Sequence, residues 1–129
     1  MPDDDLILVI EDNPLNLKLL RDLLRAVGYH TVEATTAQGG IAAAVAHEPR
    51  LVLLDIQLPD TDGLAVLASL RAQPRTAALP ILALTASAMP EDHERILEAG
   101  FDGYLAKPID IWVLLEEVRR YCGERGSPA

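Results

Sequence analysis

Apolar residues in this chain follow two rhythms that take turns. Leu6-Ile7-Leu8-Val9-Ile10, Leu51-Val52-Leu53-Leu54 and Ile81-Leu82-Ala83-Leu84 are unbroken apolar runs. Runs of this length suit strands buried on both faces. His30 to Ala34 alternates instead and predicts a strand nearer an edge, and Asp102 to Ala106 supplies a fifth strand. Between the strands the period lengthens to that of a helix. Asn13 is the expected N-cap of the first helix, with Pro14 at its first position. Leu15, Leu19, Leu20, Leu23, Leu24 and Val27 then share one face, with Lys18, Arg21, Asp22 and Arg25 outside, and Gly28 stops the helix. A second helix opens at Thr35 or Thr36 and runs to about His47, rich in Ala and weakened by Gly39 and Gly40. A third covers Gly63 to Ala72. A fourth lies between Ser87 and Ala99, with Pro90 in its first turn. The last runs from about Asp110 to Tyr121 and turns Ile111, Leu114, Leu115 and Val118 inward. Trp112 and Tyr121 on this helix are expected in core packing.

Five strand–helix alternations predict an α/β domain, a parallel sheet covered by helices on both faces. Right-handed crossovers and short links favour a doubly wound five-stranded sheet with five helices, in the order 2-1-3-4-5. The 129 residues make one domain of ordinary size. Half of them are hydrophobic but only 4% aromatic, so Leu, Val, Ile and Ala must build the core.

Charge narrows the choice of partner. A formal net charge of -9 argues against non-specific binding to DNA or to an anionic membrane. No apolar run approaches a membrane span, and the acidic start of the chain is unlike a signal peptide. A single cysteine, Cys122, excludes an internal disulfide and fits a reducing compartment. The expected location is the cytoplasm.

Polar residues gather where the apolar runs stop. Strand one ends in Glu11-Asp12, strand three in Asp55, strand four in Thr85 and strand five in Lys107-Pro108. Each has an ordinary explanation alone: a helix dipole partner, a turn, a cap, a solvated lysine. In the predicted topology all of them converge on the carboxyl edge of the sheet, where open α/β sheets bind ligands. Three carboxylates in one place repel one another, and a hard divalent cation relieves that conflict. No His or Cys joins them, which argues against zinc. His30, His47 and His93 lie elsewhere and read as surface positions. A lysine and a threonine hydroxyl beside the acids suit phosphate oxygens. The set fits a phosphoryl group on, or passing, a carboxylate nucleophile.

These residues resemble the response-regulator receiver domains of bacterial two-component and phosphorelay signalling. The resemblance runs from about Leu6 to Tyr121. It is carried by Val9-Ile10-Glu11-Asp12-Asn13, Leu54-Asp55-Ile56-Gln57-Leu58-Pro59 with Gly63, Leu84-Thr85-Ala86, and Tyr104-Leu105-Ala106-Lys107-Pro108. It implies a flavodoxin-like receiver fold over residues 6–122, a disordered acidic N-terminus over 1–5 and a flexible tail over 123–129. It implies Asp55 as phosphoacceptor. Asp12, Asp55 and the backbone carbonyl of Gln57 would hold Mg²⁺ (or Mn²⁺), with Glu11 acting through water. Lys107 would pair with phosphoryl oxygens. Thr85 and Tyr104 would be the moving switch residues, and the Lys107–Pro108 bond would be cis. The implied donor is a phosphohistidine on a sensor histidine kinase or histidine phosphotransfer protein. The responsive face would be helix four, strand five and helix five, read by a protein effector.

The run Asn13 to Asn16 resembles receivers whose first helix docks a phosphotransfer helix bundle. Gln57 and Ser87 stand where the family tunes phosphate hydrolysis, and neither makes fast self-dephosphorylation evident. The chain is thus expected to be a switch of the single-domain type, or a piece of a longer regulator or hybrid kinase, rather than an enzyme acting on other substrates. Two alternatives remain at this point. A Mg²⁺-dependent phosphatase with an aspartyl nucleophile usually carries a second acid two residues on, where this chain has Gln57. A degenerate receiver that only binds partners would not need the intact set Asp12, Asp55, Thr85 and Lys107.

Overall fold

The computed structural model describes residues 5–122. The segments expected to be disordered or flexible, apart from Asp5, lie outside the described residues. In chain order the elements are β1 (Leu6–Ile10), α1 (Pro14–Ala26), β2 (His30–Ala34), α2 (Ala37–His47) and β3 (Leu51–Asp55), then α3 (Gly63–Arg71), β4 (Ile81–Thr85), α4 (Pro90–Ala99), β5 (Gly103–Ala106) and α5 (Ile111–Cys122). All strands are parallel, in the order β2-β1-β3-β4-β5.

The unbroken apolar runs work because the sheet has two covered faces. Side chains alternate along a strand, so Ile7 and Val9 meet α1 and α5 with Leu51, Leu53, Leu82 and Leu84. Leu8 and Ile10 meet α2, α3 and α4 with Val52, Leu54, Ile81 and Ala83. β2, at the edge, is only half-buried, as its mixed pattern requires.

Local signals set the helix ends. Asn13 Oδ1 accepts from the backbone N–H groups of Leu15 and Asn16, and Thr36 caps α2 through Gly39 N–H. Asp62 caps α3 through Ala65 N–H. Asp110 caps α5 through the N–H groups of Trp112 and Val113. Gly100 follows α4 at φ 116°, a left-handed turn that suits glycine. Gly40, which seemed only to weaken α2, has a packing reason: a Cβ there would collide with the Ile10 side chain.

Two expected apolar faces need correction. On α1 only Leu20 and Leu24 are buried, whereas Leu15 is 78% and Leu19 48% exposed. A helix lying on a sheet buries a narrow stripe, and the six apolar positions of α1 span more than that stripe. On α5, Leu114, Leu115 and Val118 do face inward, but Ile111 is 43% exposed and Trp112 77%. Burial on α5 begins only at Leu114. Tyr121 packs at the edge of the core as expected.

The register places the strand ends level with each other. Ile10 pairs with Leu54, Asp55 with Leu84, and Thr85 with Ala106. Glu11 is therefore beside Asp55, and Lys107 follows one residue beyond Thr85's partner.

Candidate functional site

Asp55 closes a strand whose residues are all buried. Its backbone is thereby fixed, and the residue is 5% exposed. Oδ1 accepts the backbone N–H of Gln57 at 2.9 Å, and Oδ2 accepts from Lys107 Nζ at 2.9 Å. Lys107 reaches it from the end of β5, where the Lys107–Pro108 peptide is cis. The same ammonium lies 2.9 Å from Glu11 Oε1. Glu11 is fully buried, and Oε1 has no hydrogen bond aligned on it. Asp12, next along the chain, is exposed.

Electrostatics divides the acids. Burial pushes the Glu11 carboxyl up to about 7, and neighbouring Asp55 adds to the rise against the pull of Lys107. Burial acts on Asp55 as well, but hydrogen bonds from Glu11, Lys107 and the Gln57 N–H outweigh it and hold Asp55 below its ordinary value. Burial disfavours the Lys107 charge, yet the two carboxyls more than offset it and raise its pKa. Asp55 is thus favoured as the ionised acid beside the Lys107 ammonium, and Glu11 is the acid whose charge burial disfavours.

The donor set suits a hard divalent cation. One carboxylate oxygen from each of Glu11, Asp12 and Asp55 lies within 4.8 Å of the others. All three are oxygen donors, and the buried Glu11 Oε1 has a lone pair to offer. Such a set fits Mg²⁺, which keeps waters or phosphate oxygens in its other positions. An open depression lined by Asp12, Asn13, Asp55, Gln57 and Lys107 gives it access.

On the other side of Asp55 is a cavity of about 310 Å³, lined in part by Leu64, Thr85, Ala86, Ser87, Ile96 and Lys107. Thr85 is buried, and its Oγ1 accepts the Ser87 N–H at 3.1 Å. Tyr104 sits on β5, half-buried against the second core layer. The structure thus brings Glu11, Asp12, Asp55, Thr85 and Lys107 to one edge, with Gln57 alongside and Tyr104 one layer behind.

Two contributors escaped the sequence. Asp60, in the β3–α3 loop, accepts the Ala37 and Gln38 N–H groups at 2.9 and 3.2 Å. These bonds hold its pKa below the ordinary value against the opposing effect of burial. It ties the β3–α3 loop to the N-terminus of α2; no local pattern announces a partner 23 residues away. His93 is not a plain surface residue. Its ring stacks on Tyr104, with centroids 4.0 Å apart.

Comparison with known proteins agrees with this geometry. The response regulator receiver domain model matches residues 7–119. The polar-differentiation response regulator DivK of Brucella ovis is 39% identical over 118 residues, covering 92% of this chain and 96% of that protein. Among solved structures, the receiver domain of a sensor histidine kinase from Pseudomonas aeruginosa PAO1 superposes with a TM-score of 0.84 at 34% identity. The match covers 93% of this chain and 98% of that one, and that crystal holds a magnesium ion in its active-site cleft. A putative response regulator from Chloroflexus aurantiacus gives a TM-score of 0.87 at 28% identity, with the same coverage.

Proposed function

Because the chain belongs to the response regulator receiver domain family, we propose that Asp55 is its phosphoacceptor, charged from a phosphohistidine on a histidine kinase or histidine phosphotransfer protein. The observation that carries this reading is the buried Asp55 carboxylate, kept ionised by Glu11, by Lys107 at 2.9 Å and by the Gln57 N–H. A carboxylate oxygen attacks phosphorus, the phosphorus–nitrogen bond of the donor breaks, and the bonding pair leaves with the donor imidazole. An aspartyl phosphate results. Lys107 turns from the Asp55 carboxylate to the phosphoryl oxygens and offsets their charge. Asp12, Asp55 and the Gln57 carbonyl would hold Mg²⁺, with Glu11 behind them; Mn²⁺ suits the same oxygens. A cation held there would supply positive charge to the transferring group.

The product adds nearly two negative charges beside Thr85. The Thr85 hydroxyl then gains an acceptor it lacks at rest, and its move makes room for Tyr104 to turn inward. The readout is a change on α4, β5 and α5, where a protein effector binds. The kinase-borne donor is cytoplasmic, and the same reading puts this chain in the cytoplasm. Among the described residues no helix is long and apolar enough to cross a membrane.

Asp55→Asn tests the assignment. The wild-type chain takes up an acid-labile phosphate from acetyl phosphate and Mg²⁺ or from a cognate kinase, and the variant takes up none. Full labelling of the variant would falsify the role given to Asp55.

A further inference from the structure

The β4–α4 loop is held by two side chains of α4, Asp92 and His93, and only His93 also reaches β5. The His93 imidazole lies on the Tyr104 ring with 22° between their planes. Its Nε2 is 2.8 Å from the Ser87 carbonyl oxygen. A carbonyl can only accept, so Nε2 carries a hydrogen and donates. The Ser87 backbone N–H in turn donates to Thr85 Oγ1 at 3.1 Å. Ser87 Oγ is engaged too, donating to Asp92 and accepting the Met89 N–H. Ser87 therefore faces two ways. Its N–H fixes the hydroxyl oxygen of the buried threonine, and its carbonyl is fixed by His93, which is itself seated on β5.

We propose that His93 is a positioning residue for Thr85: it latches the β4–α4 loop so that the Thr85 side chain stays where the Ser87 N–H holds its oxygen instead of moving toward a phosphoryl group on Asp55. The proposal rests on the phosphoacceptor reading above. Phosphate on Asp55 and the His93 contacts then compete for the same loop. A ligand shifts such an equilibrium only by its different affinity for the two arrangements. Weakening the resting arrangement raises the share of chains ready to bind, and apparent affinity rises by the same factor. The latch also gives the signal a physical exit. When Thr85 leaves Ser87, the loop that anchors His93 moves, and the stack between α4 and β5 loosens.

The test is calorimetric titration of Mg²⁺ with beryllofluoride, a stable acyl-phosphate mimic, into the full chain and two variants. His93→Ala removes both contacts and binds the mimic roughly three- to tenfold more tightly than wild type. His93→Phe keeps the stack, loses the bond to Ser87, and shows a smaller gain. Both unfold at a lower temperature without the mimic. A role in stability alone would lower that temperature and leave affinity unchanged. Affinity of His93→Ala equal to or weaker than wild type overturns the latch. If His93→Ala does not fold, His93→Phe decides in the same way. Absence of binding to the wild-type chain itself overturns the phosphoacceptor reading, and the latch with it.

Discussion

The Lys107 ammonium donates to Asp55 Oδ2 at 2.9 Å, across the 52 residues that separate them in sequence. Lys107 is one of only two lysines in a chain otherwise supplied with arginine. A compact ammonium fits between Glu11 and Asp55, and in the proposed reaction it would serve an incoming phosphoryl group in turn. Lys107→Ala removes the charge that the transferring group meets. Labelling from acetyl phosphate should slow by roughly 10² or more, the usual loss for one preorganised electrostatic donor. Circular dichroism should show the fold retained, since Glu11 can remain protonated beside Asp55. Labelling at the wild-type rate would remove Lys107 from the reaction.

Glu11 makes metal-free stability depend on pH. Its folded carboxyl titrates near 7 against an ordinary value of 4.5. Between those values the unfolded chain has lost the proton that the folded chain keeps. Stability should therefore fall as pH rises from about 4.5 to 7 and level off above, by on the order of a few kcal/mol for this group. Asp55 does not cancel this. Its pKa is lowered, so its contribution is full above its ordinary value of 3.8 and is lost only at more acid pH. Mg²⁺ favours ionised Glu11, so adding it should raise the unfolding midpoint more at pH 7.5 than at pH 5. Denaturation curves in chelator and in Mg²⁺ across this range check the sign. A metal-free midpoint that rose between pH 5 and 7 would contradict the burial assigned to Glu11.

Much of this was legible in the chain. Unbroken apolar runs marked β1, β3 and β4, and the polar residue at each stop marked the site, because parallel strands bring their carboxyl ends to one edge. What stayed hidden depends on contacts between distant elements. Periodicity shows which residues of α1 share a side but not how wide a stripe the sheet covers, so Leu15 and Leu19 were assigned inward. Helix period alone could not reveal that burial on α5 begins only at Leu114 and leaves Trp112 outside. Asp60 and His93 carry no local signature at all. Each matters through a partner on another element, Ala37 and Tyr104 respectively.

Gly63 approaches the backbone behind Asp55 too closely for any side chain. A Cβ there would lie 2.8 Å from Ile56 Cα and 3.0 Å from the Asp55 carbonyl oxygen. Its N–H also donates to the Ile56 carbonyl. Backbone cannot rotate aside as a side chain does, so Gly63→Ala must move the β3–α3 loop or the start of α3. The expected cost is about 1–3 kcal/mol, a drop on the order of 5–10 °C in unfolding midpoint. The moved loop carries Gln57, whose N–H fixes Asp55, so beryllofluoride affinity should fall as well. Calorimetry and thermal denaturation of the purified variant read both effects. An unchanged midpoint would show that the loop accommodates the methyl freely.

Leu15, Leu19 and Leu23 with Lys18 and Asp22 line an open groove on α1. The groove lies on the helix that follows Glu11 and Asp12 after the Asn13 cap. An apolar surface of this kind suits a helix of a phosphotransfer partner. Leu19 is 48% exposed, so Leu19→Glu should change stability by no more than about 1 kcal/mol. It should nevertheless slow phosphate transfer from a histidine phosphotransfer protein by roughly tenfold or more, as loss of a buried interface anchor does. Labelling by acetyl phosphate needs no docking and should proceed at the wild-type rate. The two donors thus separate recognition from chemistry in one variant. Equal slowing with both donors would place the defect at Asp55 rather than on α1, and no slowing with either would put the docking surface elsewhere.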